Sequence, residues 1–232
     1  MNKTSIFNIK IDFDKSKGSI LVDKNTKNKF IDFMGMYSSL AIGYNHSIFD
    51  ESYTDEILNC SKQKIVNCEI LSDQYDSFYR DFVEFTSDSK LTKYAFTCTG
   101  ALANEAAIKT AMWYKGATPD GYILSLKNSF HGINSVGNFI TTRFPGIRER
   151  LEHLPGENFW PVCETIQNAV EHIKTTPDNL KGIIIEPIQA TYGDNYISID
   201  DLKLLRSTCT EFDIPLIFDE VQTGFGSTGK VW

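Results

Sequence analysis

Between Gly18 and Phe33 the chain reads GSILVDKNTKNKFIDF, two apolar runs around a polar stretch at Asp23–Asn28. That is the signature of a β-hairpin, and residues 1–33 read as short strands joined by turns. YSSLAIGYNHSIFD follows as a loop, broken by Gly43, Asn45 and Ser47. From about Asp50 to Phe85 the apolar positions recur at helical spacing, with breaks near Asn67 and Ser72. After that the texture changes. YAFTC (Tyr94–Cys98) reads as a short strand, and ALANEAAIKTAMWYK as a strong helix former. GYILSL (Gly121–Leu126) reads as a second strand. GIIIEPI (Gly182–Ile188) reads as a third, uniformly apolar like a parallel strand buried on both faces. SIDDLKLLRSTCTEFD predicts a helix capped by Ser198 or Asp200, and PLIFDEV (Pro215–Val221) a fourth strand. Strands alternating with helices imply a parallel α/β sheet, in which ligands bind at the carboxyl ends of the strands.

Composition narrows the function more than the fold. The 232 residues are 41% hydrophobic, enough for one sizeable core or for one domain with part of another. The formal net charge of −7, with no run of Lys and Arg, argues against nucleic acid and anionic membranes as partners. No apolar run approaches the ~20 residues of a membrane helix, and Met1–Phe13 lacks the apolar core of a signal peptide. The five cysteines are scattered, without a C-x-x-C pair. Neither a zinc site nor a disulfide framework is expected, and a reducing cytoplasm is the simple setting. There is no internal repeat and no low-complexity linker.

Four strand ends carry candidate chemistry. In TCTGALANEAA a strand gives way at Gly100 to a helix, whose first amides, at Gly100, Ala101 and Leu102, form an anion site or an ordinary turn. In KNSFHGINS, Phe130 could cover a flat ring or belong to the core, while His131 reads as a satisfied polar residue. Glu186 closes an apolar strand, where a carboxylate needs a partner; it serves a site or holds a neighbouring loop. Asp219 follows Leu216-Ile217-Phe218 and needs a partner too. A protonated ring nitrogen would suit it, with Gln222 reaching a ring hydroxyl; otherwise Asp219 caps the next turn. GFGSTG (Gly224–Gly229) fits the dinucleotide pattern G-x-G-x-x-G, but the acid precedes it and the downstream acid and βαβ context do not follow.

Taken in order, GALANEAAIK, SFHG, IIIEPIQ and LIFDEVQTGFGSTG resemble the class III family of pyridoxal-phosphate (PLP) aminotransferases. The likeness runs nearly the whole chain, and TTRFPG, GALANEAA and LSDQYDSFYRDFVEF look most like the lysine 6-aminotransferase branch. The resemblance implies a fold-type-I large domain, incomplete at its C-terminus, over residues 61–232. It implies a small-domain segment and substrate-entrance loop over residues 1–60. It implies phosphate binding by the amides of Gly100 and Ala101, and stacking of Phe130 on the pyridine ring. Asp219 would pair with the ring nitrogen, Gln222 would lie near the ring hydroxyl, and Glu186 would stand in the site wall. Tyr37, Ser38 and Ser39 would line the entrance. The implied reaction moves a terminal amino group to 2-oxoglutarate in a cytoplasmic homodimer, or together with a complementary C-terminal chain.

Three departures from the family pattern stand out. Where family members close to lysine 6-aminotransferase read F-H-G-R, with an arginine gripping a substrate carboxylate, this chain has Ile133, which cannot make that contact. Thr191 stands where the family often has a second glutamate. The lysine that holds the cofactor as a Schiff base is expected beyond Trp232, so no catalytic residue is assigned here and Lys230 is not taken for it. The competing expectation is a non-catalytic remnant that dimerises or binds PLP.

Overall fold

The computed structural model describes residues 7–49, 53–62, 70–143, 160–175 and 178–232. The chain divides into two compact units: residues up to Thr92 together with Gly224–Trp232, and Lys93–Thr223. The sequence reading drew its boundary at residue 60; the compact units divide at Thr92–Lys93.

In the first unit the predicted hairpin forms. Strand β1 (Ile20–Val22) pairs antiparallel with β2 (Lys29–Ile31). Asp23 organises the turn between them, accepting from the amides of Lys10, Asn25 and Thr26. Helix α1 covers Thr54–Lys62 and α2 Asp73–Phe85. Ser72, predicted as a break, is the cap of α2: its side chain accepts from the Tyr75 amide, and Asp73 and Asp76 sit in the first turn, where the helix dipole favours acids. The predicted break near Asn67 lies outside the described residues. The GFGSTG stretch runs as turns and opens no helix, and Phe225 within it packs on Phe82, Phe85 and Trp232. A dinucleotide fingerprint needs a helix N-terminus behind its glycines, and this stretch provides none.

The second unit is an α/β sheet. Helix α3 (Gly100–Tyr114) starts where Thr99 caps the Leu102 amide. Then come β3 (Tyr122–Leu126), α4 (Ser135–Ile140), β4 (Val162–Cys163), α5 (Ile166–Thr175) and β5 (Leu180–Ile185). A small ribbon of β6 (Ile188–Gln189) with β7 (Asn195–Tyr196) precedes α6 (Ile199–Glu211) and β8 (Leu216–Phe218). Ser198 caps α6 by accepting from the Asp201 amide. The sheet order is β4-β3-β5-β8 and every pairing is parallel.

All six residues of β5 are buried, Lys181 included, because both faces of the sheet are covered, and that is why Gly182–Ile185 shows no polar alternation. Ile183 and Ile185 join Leu124, Leu126, Val170, Ile173, Leu205 and Cys209 on one face. Ile184 and Ile123 join Ile108, Ala111 and Ile140 on the other. Each buried aliphatic side chain contributes roughly 1.5–3 kcal/mol.

One expectation fails. Tyr94–Cys98 joins none of the three sheets. Its backbone is extended enough for the Tyr94 and Phe96 rings to stack 6.5 Å apart, as period-two spacing allows. A strand is a property of pairing and not of sequence alone, and no ladder includes this stretch.

Candidate active site

The sheet order places a switch point between β3 and β5, since the chain leaves β3 for β4 on one side and returns to β5 on the other. Open α/β sheets bind ligands in the crevice at such a point, beyond the carboxyl ends of the strands. The residues that follow the strand ends here are Phe130 and His131 after β3, Glu186 after β5 and Asp219 after β8. All four line one cavity with Gly100 and Ala101 from the start of α3 and with Ile133, Val221 and Gln222. Its volume is about 160 Å³, near the roughly 150 Å³ that houses a six-membered aromatic ring. A larger groove of about 690 Å³ between α3, α6 and β8 gathers no comparable set of buried titratable groups.

Asp219 is the centre of the polar network. It is buried, and its backbone amide continues the β5 ladder by donating to Ile185. Oδ2 accepts from Asn104 Nδ2 at 2.7 Å and pairs with His131 Nδ1 at 2.8 Å. The direction of that second bond is set by the imidazole tautomer. Among the described residues Oδ1 has only the Val221 amide, at 3.2 Å. One carboxylate oxygen is therefore saturated, and the other keeps acceptor capacity toward the cavity. His131 Nε2 is buried and has no hydrogen-bond partner among the described residues.

The loop that carries Phe130 and His131 is tightly held. The Thr141 hydroxyl accepts from the His131 amide at 2.9 Å and donates to the Gly132 carbonyl at 2.8 Å. Asn104 Nδ2 also donates to the His131 carbonyl at 3.2 Å. Glu186 Oε2 accepts from the Phe130 amide at 2.9 Å. Glu186 thus holds the neighbouring loop and lines the cavity at once. Burial pushes its carboxyl up to about 7, against the lowering influence of His131 and the Phe130 amide; Asp219 adds to the rise and Arg143 opposes it. Glu220, beside Asp219, is also raised by burial.

Two glycines set the geometry. Gly132 has φ of +112°, and a Cβ there would stand 2.7 Å from the Ala101 Cβ. A Cβ on Gly100 would meet Val221 at 2.5 Å. Both allow the backbone to close around the cavity. At the mouth of α3 the Thr99 side chain takes the Leu102 amide, leaving the Gly100 and Ala101 amides at the helix N-terminus without acceptors among the described residues.

All the predicted cofactor residues (Gly100, Ala101, Phe130, Glu186, Asp219 and Gln222) therefore meet in one cavity, with Ile133 at its wall. Tyr37 and Ser38 lie in the first unit, on a turn where Met36, Tyr37 and Ser38 all have positive φ. His131 and Asn104 are the residues the sequence reading undervalued. Asn104, the lone amide in an Ala-rich helix four residues beyond Gly100, was the available signal.

One cavity thus gathers the free amides of a helix N-terminus, a buried carboxylate and an aromatic residue, a lining able to meet an anion and a cation at once. The sequence matches the class-III aminotransferase family over residues 2–232, and the chain belongs to that family. It is 29% identical to the L-lysine-epsilon aminotransferase of Streptomyces clavuligerus, over 97% of this chain and 55% of that protein. It is 26% identical to the 4-aminobutyrate aminotransferase of Kluyveromyces lactis, over 95% of this chain and 56% of that one. The solved lysine aminotransferase from M. tuberculosis superposes with a TM-score of 0.87 at 27% identity, covering 100% of this chain and 59% of that structure. The chain thus spans a little over half the length of these relatives, and its sheet is the corresponding part of an aminotransferase large domain.

Proposed function

We propose that this chain forms the cofactor-binding part of a PLP-dependent aminotransferase that moves a terminal amino group to 2-oxoglutarate, acting in the cytoplasm as a homodimer or with a complementary chain. The observation that carries the reading is Asp219, whose Oδ2 is saturated by Asn104 and His131 while Oδ1 retains acceptor capacity in a ring-sized cavity.

The residues fit the cofactor. Oδ1 of Asp219 would accept from the protonated ring nitrogen, and burial makes that pair strong. The amides of Gly100 and Ala101 would hold the phosphate at the positive end of α3. Phe130 would cover the ring and Gln222 would stand near its hydroxyl. The bound group supplies an electron sink for charge that develops at the substrate carbon. His131 and Asn104 fix the orientation of Asp219 and keep it an acceptor, and Glu186 fixes the loop that carries Phe130. Overall, a primary ammonium carbon is oxidised to an aldehyde while the oxo acid receives the amino group and the two electrons. Among the described residues no lysine lines the cavity, so the lysine of the Schiff base would come from outside these lining residues.

Calorimetric titration with pyridoxamine 5′-phosphate tests the reading. This ligand lacks an aldehyde and so forms no adducts with surface lysines. The expected result is saturable binding that weakens at least roughly thirtyfold in Asp219→Ala, the scale of breaking a buried charged pair. Weak binding, equal in both proteins, would leave the non-catalytic remnant instead.

A further inference from the structure

The cavity wall beside the ring site is unusual in its charge. Its apolar side chains include Ile133, Ile188 and Val221, its carboxylates are Glu186 and Asp219, and no lysine or arginine lines it among the described residues. Ile133 is 64% exposed, so it presents an apolar surface at the wall and is not a core residue. A ring cation would neutralise Asp219. Glu186 then remains, buried, with one oxygen taken by the Phe130 amide.

We propose that the amino donor is a primary amine whose far end carries no carboxylate, an alkylamine or an α,ω-diamine, and that Ile133 selects it. The inference rests on the cofactor site argued above. A donor carboxylate reaching this wall would leave water without meeting a hydrogen-bond fork and would share the cavity with Glu186. A methylene chain gains by covering Ile133, Ile188 and Val221, and a terminal ammonium beside Glu186 favours the ionised form that burial alone opposes. Arg143 is the nearby cation. It does not line the cavity, and its pull on Glu186 is weaker than the effects of burial, His131, the Phe130 amide and Asp219. The acceptor enters in a separate half-reaction, and its carboxylates call for cations from outside this wall.

The test is a matched pair of ligands on the chain as it stands. One is pyridoxyl phosphate joined through a reduced secondary amine to 1,5-diaminopentane. The other is the same group joined to the side-chain nitrogen of lysine, and the two differ by one carboxylate. Pyridoxamine 5′-phosphate is the parent control, and binding is read by calorimetry. The diaminopentane conjugate should bind roughly tenfold more tightly, since an unpaired desolvated carboxylate costs on the order of 1–3 kcal/mol. Ile133→Arg, at an exposed position, should reverse the order. Equal or tighter binding of the lysine conjugate to the unmodified chain would overturn the inference while leaving the cofactor site intact. If Arg143→Ala then removed that tightness, Arg143 and not Ile133 would govern specificity. An unchanged preference in Ile133→Arg would overturn the role given to Ile133. Failure of the parent to bind would overturn the cofactor reading itself.

Discussion

Glu186 offers a prediction whose size can be worked out. Its carboxyl is pushed from an ordinary 4.5 up to about 7, chiefly by burial. A carboxylate raised in the folded state favours the protonated form there, so the folded chain binds more protons than the unfolded one between about pH 4.5 and 7. Its contribution to stability is complete below the ordinary value and is lost as the pH rises through 7. At about 1.36 kcal/mol per pH unit, the loss amounts to about 3 kcal/mol. Glu186→Gln removes the titration, and its amide oxygen can still accept from the Phe130 amide. The variant should therefore gain about 3 kcal/mol on the parent between pH 4.5 and 8, with His131, Asp219 and Arg143 unchanged in both proteins. Urea unfolding followed by tryptophan fluorescence at both pH values measures the difference, and titrations common to both proteins cancel. Parallel pH profiles for the two proteins would refute the argument that burial dominates at Glu186.

Other predictions follow from the same network. Asn104→Ala removes a donor shared by Asp219 and the His131 carbonyl, so it should cost about 1–3 kcal/mol in urea unfolding and weaken pyridoxamine 5′-phosphate binding. Gly132→Ala forces a side chain into a positive-φ position 2.7 Å from Ala101, and should cost about 1–3 kcal/mol by the same assay. Ser198→Ala unties the start of α6 at a residue that does not line the cavity; about 1 kcal/mol should be lost with cofactor binding unchanged.

The parts of this protein legible in its sequence are those fixed by local pattern. Ser198 announced a helix start because capping acts within a few residues, whereas Ser72 read only as a break. The β5 run announced a strand covered on both faces because its residues have no polar alternation. Asp219 and Glu186 stood out as charges at the ends of apolar strands. What could not be read depended on distant partners. His131 meets Asp219 across 88 positions, and nothing local distinguishes that imidazole from a satisfied polar residue. Tyr94–Cys98 has strand composition, but no neighbouring strand pairs with it in any of the sheets. Thr141, whose one hydroxyl stitches two backbone groups of the site loop, stands in the TTRFPG stretch, but nothing local to that stretch shows the two bonds it makes.

The central claim is that Asp219 holds a protonated pyridine ring. Its most direct test is the ¹⁵N chemical shift of the ring nitrogen in labelled pyridoxamine 5′-phosphate bound to the chain, followed with pH. The expected result is a pyridinium signal that persists well above the pH at which the free ligand loses its ring proton, and that disappears in Asp219→Asn. A bound ligand showing a neutral pyridine nitrogen, or the same titration with and without the carboxylate, would contradict it.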